Sequence, residues 1–170
     1  MPEPEDNLSF KVRVTKDYAV FCSGHFITYE GDKCEPLHGH NYRAAASLEG
    51  RCDENAYVFD FVALKRLLRG ICDRLDHRML LPRDNRLLAV SEDGPGFVVR
   101  YREKTYTFPR EDVVMLPIPN TTAEMLAQWI GGEIEAALRE RGAKNLTTLE
   151  VEVEESFGQS AFCRLALKAP

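Results

Sequence analysis

The sequence predicts an α+β fold in which an antiparallel sheet is covered on one face by two helices. Three observations carry this. Apolar and polar residues alternate at both ends of the chain, over 8–14 and again over 148–154. Two segments between them repeat their apolar residues every three to four positions. The order is therefore strands, helix, an intervening β segment, helix, strands, and two amphipathic helices bury their stripes most simply against one face of a shared sheet.

The elements follow in chain order. Leu8, Phe10, Val12 and Val14 alternate with Ser9, Lys11 and Arg13, the pattern of a half-buried strand. Tyr18–Cys22 leads on to His25. After a loop at Gly31-Asp32-Lys33, a long segment through His40-Asn41-Tyr42 closes at Gly50, so residues 8–50 form an antiparallel ribbon. Val58–Phe61 ends a short strand, with Asp60 placed to accept the unpaired first-turn amides of a helix. Leu64, Leu67, Leu68, Ile71 and Leu75 supply that helix's apolar stripe, which stops near Asp76-His77. Thr121-Thr122-Ala123-Glu124 fits a capping box for a second helix, carried by Leu126, Ile130, Ile134 and Leu138 and stopped by Gly142. Its Gly131-Gly132 pair weakens helix propensity. Between the helices, 83–119 is an inserted region with a hairpin: Phe97–Arg102, a turn at Glu103-Lys104, then Thr105–Phe108. Thr148–Glu154 and Ala161–Leu167 complete the sheet.

At 170 residues the chain is one domain by size, 1–170, and 1–7 reads as a disordered acidic tail. A net charge of −5 argues against a nucleic-acid backbone as partner. No apolar run approaches the roughly 20 residues that span a bilayer. Met1–Asp6 is acidic and proline-rich, unlike a signal peptide, so the expected location is the cytoplasm. Cysteines 22, 34, 52, 72 and 163 are odd in number and irregularly spaced, which speaks against a disulfide framework; apart from Cys34 they are expected to pack as small hydrophobes.

The chemistry concentrates in Cys34-Glu35-Pro36-Leu37-His38-Gly39-His40. In an extended chain His38 and His40 project to the same face, and Gly39 between them lets another group come close. His25 supplies a third imidazole. Three neutral imidazoles with an open position form the ligand set of a catalytic zinc site, whereas structural zinc sites are closed by four ligands and rich in cysteine. The same imidazoles would accept iron or nickel. Against this, a His-x-His on a strand is often only a polar face.

His25, His38-Gly39-His40-Asn41-Tyr42, the upstream Cys34, Asp76-His77 at a helix end, Thr122-Ala123-Glu124, and Glu155-Ser156 after an alternating strand together resemble the 6-pyruvoyltetrahydropterin synthase and 6-carboxytetrahydropterin synthase family. The match runs in order through 8–82 and 120–167 and carries nothing over to 83–119. The resemblance implies a tunnelling fold, assembled as a homohexamer of two trimers with active sites between subunits. It implies Zn2+ on His25, His38 and His40, Cys34 as base or nucleophile with a stabilised thiolate, and Asp76 orienting His77 as general acid/base. It also implies Glu155 as pterin anchor, with Thr122 and Glu124 lining the same pocket unless they only cap the helix. Glu155 falls out of phase with Glu150, Glu152 and Glu154, which read as a solvated outer face. Cys34 followed by Glu35 resembles the subgroup that carries both the cysteine of queuosine-pathway synthases and the glutamate of members feeding folate synthesis, so Glu35 is a second candidate base. Alternatively, Glu35 is only an exposed loop residue before Pro36.

The function so implied is a zinc-dependent lyase converting 7,8-dihydroneopterin triphosphate to 6-carboxy-5,6,7,8-tetrahydropterin and acetaldehyde. Two alternatives keep the site: triphosphate elimination to 6-pyruvoyltetrahydropterin, and side-chain cleavage of dihydroneopterin to 6-hydroxymethyldihydropterin through Glu35. A non-catalytic pterin-binding module is the alternative from another class. Lys33, Arg78 and Lys104 are scattered candidates for the triphosphate.

Overall fold

In the computed structural model, which describes residues 8–167, a seven-stranded sheet carries both helices on one face. The predicted tail at 1–7 lies outside the described residues. Strand β1 (Phe10–Val14) and β2 (Val20–His25) lie end to end beside the long β5 (His38–Gly50), β1 along its C-terminal half and β2 along its N-terminal half. Two short strands, β3 (Thr28–Tyr29) and β4 (Lys33–Cys34), form a ribbon in the loop between β2 and β5.

Helix α1 (Phe61–Leu75) begins where the sequence places it: the Asp60 carboxylate accepts from the amides of Val62 and Ala63. The short strand expected at 58–61 is absent, and a turn and bends occupy 54–59. Leu64, Leu68, Ile71 and Leu75 are buried against the sheet, with α1 over β1, β2 and β5. Strand β6 (Arg78–Pro82) then returns parallel to β2.

The insertion is larger than a hairpin. Strands β7 (Ala89–Asp93), β8 (Gly96–Tyr101) and β9 (Lys104–Pro109) make a separate three-stranded sheet, and the turn between the last two falls at Arg102-Glu103, one residue earlier than expected. Strand β10 (Val113–Leu116) then pairs parallel to β6. The main sheet is thus antiparallel except at β6, because each connection into and out of β6 is a crossover rather than a hairpin.

Helix α2 (Ala123–Glu140) is capped by Thr122, whose hydroxyl accepts from Met125 N at 3.4 Å. The cap sits one residue later than a box built on Thr121 and Glu124 requires, and Glu124 is exposed. The helix packs on β11 (Leu146–Ser156) and β12 (Gln159–Ala166), giving the sheet order β10-β6-β2-β5-β11-β12 with β1 on β5.

The two helix glycines differ. A Cβ on Gly131 would lie 2.8 Å from Leu165 Cδ1, whereas one on Gly132 meets nothing within 4 Å. Gly132→Ala should therefore stabilise the protein by about 0.5–1 kcal/mol, and Gly131→Ala should not, as read from paired denaturant melts.

Glu150, Glu152 and Glu154 face away from the helices as their alternation requires, but the last two are not solvated. Glu152 and Glu154 are 6% and 7% exposed. Arg13 Nη2 at 2.5 Å, Lys16 Nζ at 3.2 Å and the Ser160 hydroxyl at 2.9 Å surround the Glu152 carboxylate, and Lys16 also pairs with Glu154. Carboxylates sheltered this far need such partners. The cysteines are all free, yet only Cys72 is buried; Cys22 and Cys52 are exposed, contrary to the expectation of hydrophobic packing.

Candidate metal and substrate site

The core-facing side of β5 carries His38, His40 and Tyr42 in alternation, and the antiparallel register places His25 opposite His38. Gly39 permits this closeness: a Cβ there would lie 2.9 Å from the carbonyl oxygen of Ser23 on β2. One ligand atom from each of His25, His38 and His40 lies within 4.8 Å of the others. Outer contacts orient the rings. His25 Nδ1 donates to the Thr121 carbonyl and His38 Nδ1 to the Pro36 carbonyl, each at 2.9 Å. Since a carbonyl only accepts, these bonds put the proton of each neutral ring on Nδ1 and leave Nε2 as a lone pair.

The donor set fits a cation. His25 Nε2 and His38 Nε2 stand 3.2 Å apart. Burial, ahead of the neighbouring imidazoles, pushes the His25 pKa down to about 4, so this ring is neutral at pH 7. Two facing lone pairs repel unless a positive ion lies between them. His40 Nε2 is buried with no hydrogen-bond partner among the described residues; Glu155 Oε1 lies 3.4 Å from it without the alignment of a hydrogen bond. Three converging imidazole nitrogens, one of them orphaned, can bind a metal ion.

The carboxylates arrive by two routes. Glu155 sits where the β11–β12 register shifts between Glu154 and Ser156, and the irregularity turns its side chain out of the glutamate ladder. It borders two cavities, one of about 510 Å³ with His40, Asn41, Arg43 and Phe157, the other of about 360 Å³ with Ile27, Thr122, Glu124 and Ser160. Glu35 enters from the loop after β4, its Oε2 3.8 Å from His38 Nε2. It is half-buried rather than an exposed loop residue. A larger cavity of about 670 Å³, lined by Asp53, Asp60, Arg141 and Asn145, lies at the far end of β5 and holds no imidazole.

Cys34 is half-buried beside Glu35. Burial is the main influence on its thiol and pushes it up, Lys104 opposes this, and Glu35 adds to it. The stabilised thiolate expected from the resemblance is therefore not what the protein's own groups produce. Asp76 and His77 form a pair at 2.9 Å, and both are bound to Cys22: the Cys22 amide donates to Asp76 Oδ1 at 2.7 Å and the His77 amide to the Cys22 carbonyl at 2.7 Å. The Cys22 amide holds the Asp76 carboxyl below its ordinary value, with burial opposing and the His77 contacts adding to it. His77 has φ +55°, and its side chain is 81% exposed. Cys22 is three residues along β2 from His25, about 10 Å, and among the described residues no hydrogen bond, ion pair or ring contact ties His77 to the imidazoles or Cys34.

Sequence reasoning missed the backbone carbonyls of Thr121 and Pro36, and Asn120. The Asn120 side chain accepts from Thr28 N at 3.2 Å and donates to Thr28 O at 2.7 Å, tying β3 to the start of α2. Carbonyl contacts leave no residue-type signal. Tyr42 has a buried hydroxyl without a hydrogen-bond partner among the described residues, and burial pushes its pKa up.

A family model described as 6-pyruvoyl tetrahydropterin synthase matches residues 13–166. A Methanocaldococcus jannaschii protein named "Putative 6-carboxy-5,6,7,8-tetrahydropterin synthase" is 36% identical over 149 residues, 87% of this chain and 91% of its own. A Pyrococcus horikoshii protein of the same name is 32% identical over 85% of this chain and 83% of its own. The crystal structure of Plasmodium vivax 6-pyruvoyltetrahydropterin synthase is similar with a TM-score of 0.88 at 29% identity, covering 94% of this chain and 99% of that one. Structures of the same enzyme in which a glutamate described as a catalytic residue is replaced by alanine or by cysteine are equally similar.

Proposed function

Because this chain belongs to the 6-pyruvoyl tetrahydropterin synthase family and is a lyase of that family, we propose that it converts 7,8-dihydroneopterin triphosphate and one water to 6-carboxy-5,6,7,8-tetrahydropterin, acetaldehyde and triphosphate, as in queuosine synthesis. The observation that carries this is the convergence of three imidazole nitrogens, one of which, His40 Nε2, stands 3.4 Å from a carboxylate that borders two cavities. In this reading His25, His38 and His40 hold Zn2+, which supplies Lewis acidity to the hydroxyls of the pterin side chain. The Glu155 carboxylate accepts two parallel hydrogen bonds from the ring N–H and exocyclic amine of the pterin, and Thr122 and Glu124 line that pocket. Cys34 removes a proton from the side chain, and Asp76 holds His77 to return one. The exposed His77 serves the site of a neighbouring subunit, which is the sense in which a homohexamer with intersubunit sites, in the cytoplasm, completes the reading.

A second reading rests on Glu35. Its carboxylate stands 3.8 Å from His38 Nε2 while burial disfavours the Cys34 thiolate, and a glutamate is described as catalytic in the Plasmodium vivax relative. In this reading Glu35 is the base, and the product is 6-hydroxymethyldihydropterin from dihydroneopterin.

Incubating the metal-loaded protein, and its Cys34→Ala and Glu35→Gln variants, with each substrate and identifying products by mass separates these. The leading reading expects 6-carboxytetrahydropterin, lost in Cys34→Ala and kept in Glu35→Gln; the reverse pattern with hydroxymethyldihydropterin supports the second. A 6-pyruvoyl product shows triphosphate elimination, and no turnover of either substrate ends the enzymatic proposal. Glu155→Gln should weaken pterin binding about tenfold to a hundredfold, the cost of a lost charge-assisted pair, by fluorescence titration, with metal content unchanged.

A further inference from the structure

The segment from Phe26 to Leu37 begins immediately after one candidate metal ligand and ends immediately before another, and it carries Cys34 and Glu35 between them. Its internal support is slight. Strands β3 and β4 pair at only two positions, Thr28 with Cys34 and Tyr29 with Lys33, around a three-residue turn in which Glu30 has φ +45° and Gly31 φ +82°. A two-stranded ribbon this short does not hold itself in water.

The holding contacts come from outside, and most come from the insertion. Phe26 is buried and its ring stacks on Tyr106 of β9 at 5.2 Å. Together with Met79, Leu81, Val99 and Tyr101 it forms a second apolar cluster, distinct from the core under the helices, and Cys34 packs against it. At the β8–β9 tip, the Tyr101 hydroxyl donates to the Asp32 carbonyl. Arg102 Nη2 reaches the Asp32 carboxylate at 2.6 Å and its carbonyl at 3.3 Å. Arg102 itself has φ +50°, a left-handed conformation that a bulky residue keeps only where its surroundings over-determine it. Lys104, across the same tip, is close enough to Cys34 to oppose the effect of burial on its thiol.

We propose that the inserted sheet is a brace for the loop bearing Cys34 and Glu35, with Tyr101 and Arg102 as positioning residues that grip the loop through Asp32. This assigns the 83–119 region a role in the reaction as well as in stability. The two grips are unequal. The Arg102–Asp32 ion pair is exposed on both sides and adds little alone, whereas the Tyr101 hydroxyl sits on a ring only 8% exposed and satisfies a carbonyl at the turn. Asn120 and Asn85 tie Thr28 at the opposite edge of the ribbon, so releasing Asp32 frees the turn without releasing β3.

The importance of the brace for catalysis rests on Cys34 or Glu35 being the base, but the brace itself can be read without turnover. The test uses full-length metal-loaded protein carrying Tyr101→Phe and Arg102→Ala together, with Arg102→Lys as the conservative control. Amide exchange over 28–37 and iodoacetamide alkylation of Cys34, each compared with Cys22 and its strand in the same sample, should rise about tenfold in the double variant, from one lost hydrogen bond and one weak ion pair. The melting temperature and metal content should stay near wild type, and the control should behave as wild type. Turnover should fall about tenfold in kcat with KM within about twofold. Loop exchange and Cys34 alkylation unchanged from wild type would overturn the brace, and so would a uniform rise across all strands, which marks global destabilisation. A faster-exchanging loop with full kcat would establish the brace and instead remove Cys34 and Glu35 from the catalytic reading.

Discussion

His38→Ala should lose its bound metal and its turnover while keeping its fold. His38 is the most exposed of the three imidazoles, at the first residue of β5, and its Nδ1 donates to the Pro36 carbonyl only two residues away. His25, by contrast, is buried and bonded to Thr121 at the start of α2, so its loss would disturb packing as well as coordination. Without His38 only two imidazoles remain, short of the three protein ligands that a catalytic zinc site uses. Changing groups that merely orient ligands costs about 10–100-fold in affinity or activity, and removing a ligand should exceed that. Elemental analysis should find metal falling from one ion per chain to a trace, with turnover of the dihydroneopterin substrates falling in step. A His38→Ala protein that retains its full metal complement would show that the three imidazoles are not the ligand set.

Gly50→Ala should be the most damaging single change to stability among small substitutions, and it lies far from the chemistry. At the end of β5 a Cβ would fall 2.2 Å from the Asn145 carbonyl oxygen and 2.9 Å from Leu146 Cα, both backbone atoms that cannot rotate away. That backbone is tied in place. Arg51 N donates to the same Asn145 carbonyl at 3.0 Å, and the Asn145 side chain donates to the Arg51 and Val58 carbonyls at 2.7 and 2.9 Å. Strand separation here would spread along β5, which pairs on both sides. The expected cost is about 3 kcal/mol or more, a fall in melting temperature of about 6–12 °C for a chain of this size. Twelve strand residues, about 40 Å, separate Gly50 from His38, so kcat measured well below the transition should be nearly unchanged. A melt within a degree of wild type would mean that the β5–β11 junction relaxes far more easily than its hydrogen bonds suggest.

What could be read from the sequence, and what could not, follows from which interactions are local. The Asp60 cap and the α1 stripe were legible because a cap acts within three residues and a helix face repeats within four. The strands β6 and β10 were not. Met79-Leu80-Leu81 and Val113-Val114-Met115 are contiguous apolar runs with no alternation, the pattern of strands buried in parallel pairing, and a short run of that kind does not declare its state. β7 was missed for the opposite reason, since Ala89–Asp93 is largely exposed and polar and becomes a strand only by pairing with β8. The glutamate ladder was placed on the correct face but read as solvated, because its partners Arg13 and Lys16 are distant in sequence and reach it across β5.

The sequence by itself determined the donor types and their spacing, His25 and the His38-Gly39-His40 pair with Cys34 and Glu35 just upstream, because a strand's period of two is enough to put two imidazoles on one side. Only the tertiary structure decided that the third imidazole closes on them, through the β2–β5 register and the carbonyls that set the protons of His25 and His38. It also decided that Glu155 turns toward His40 at a register shift, that His77 is exposed and, among the described residues, makes no contact with the other imidazoles, and that a distant insertion supports the loop of the two candidate bases. Side-chain chemistry is written residue by residue, whereas convergence depends on pairings between segments distant in the chain, such as Arg43 with Glu154, and those are settled only when the chain packs.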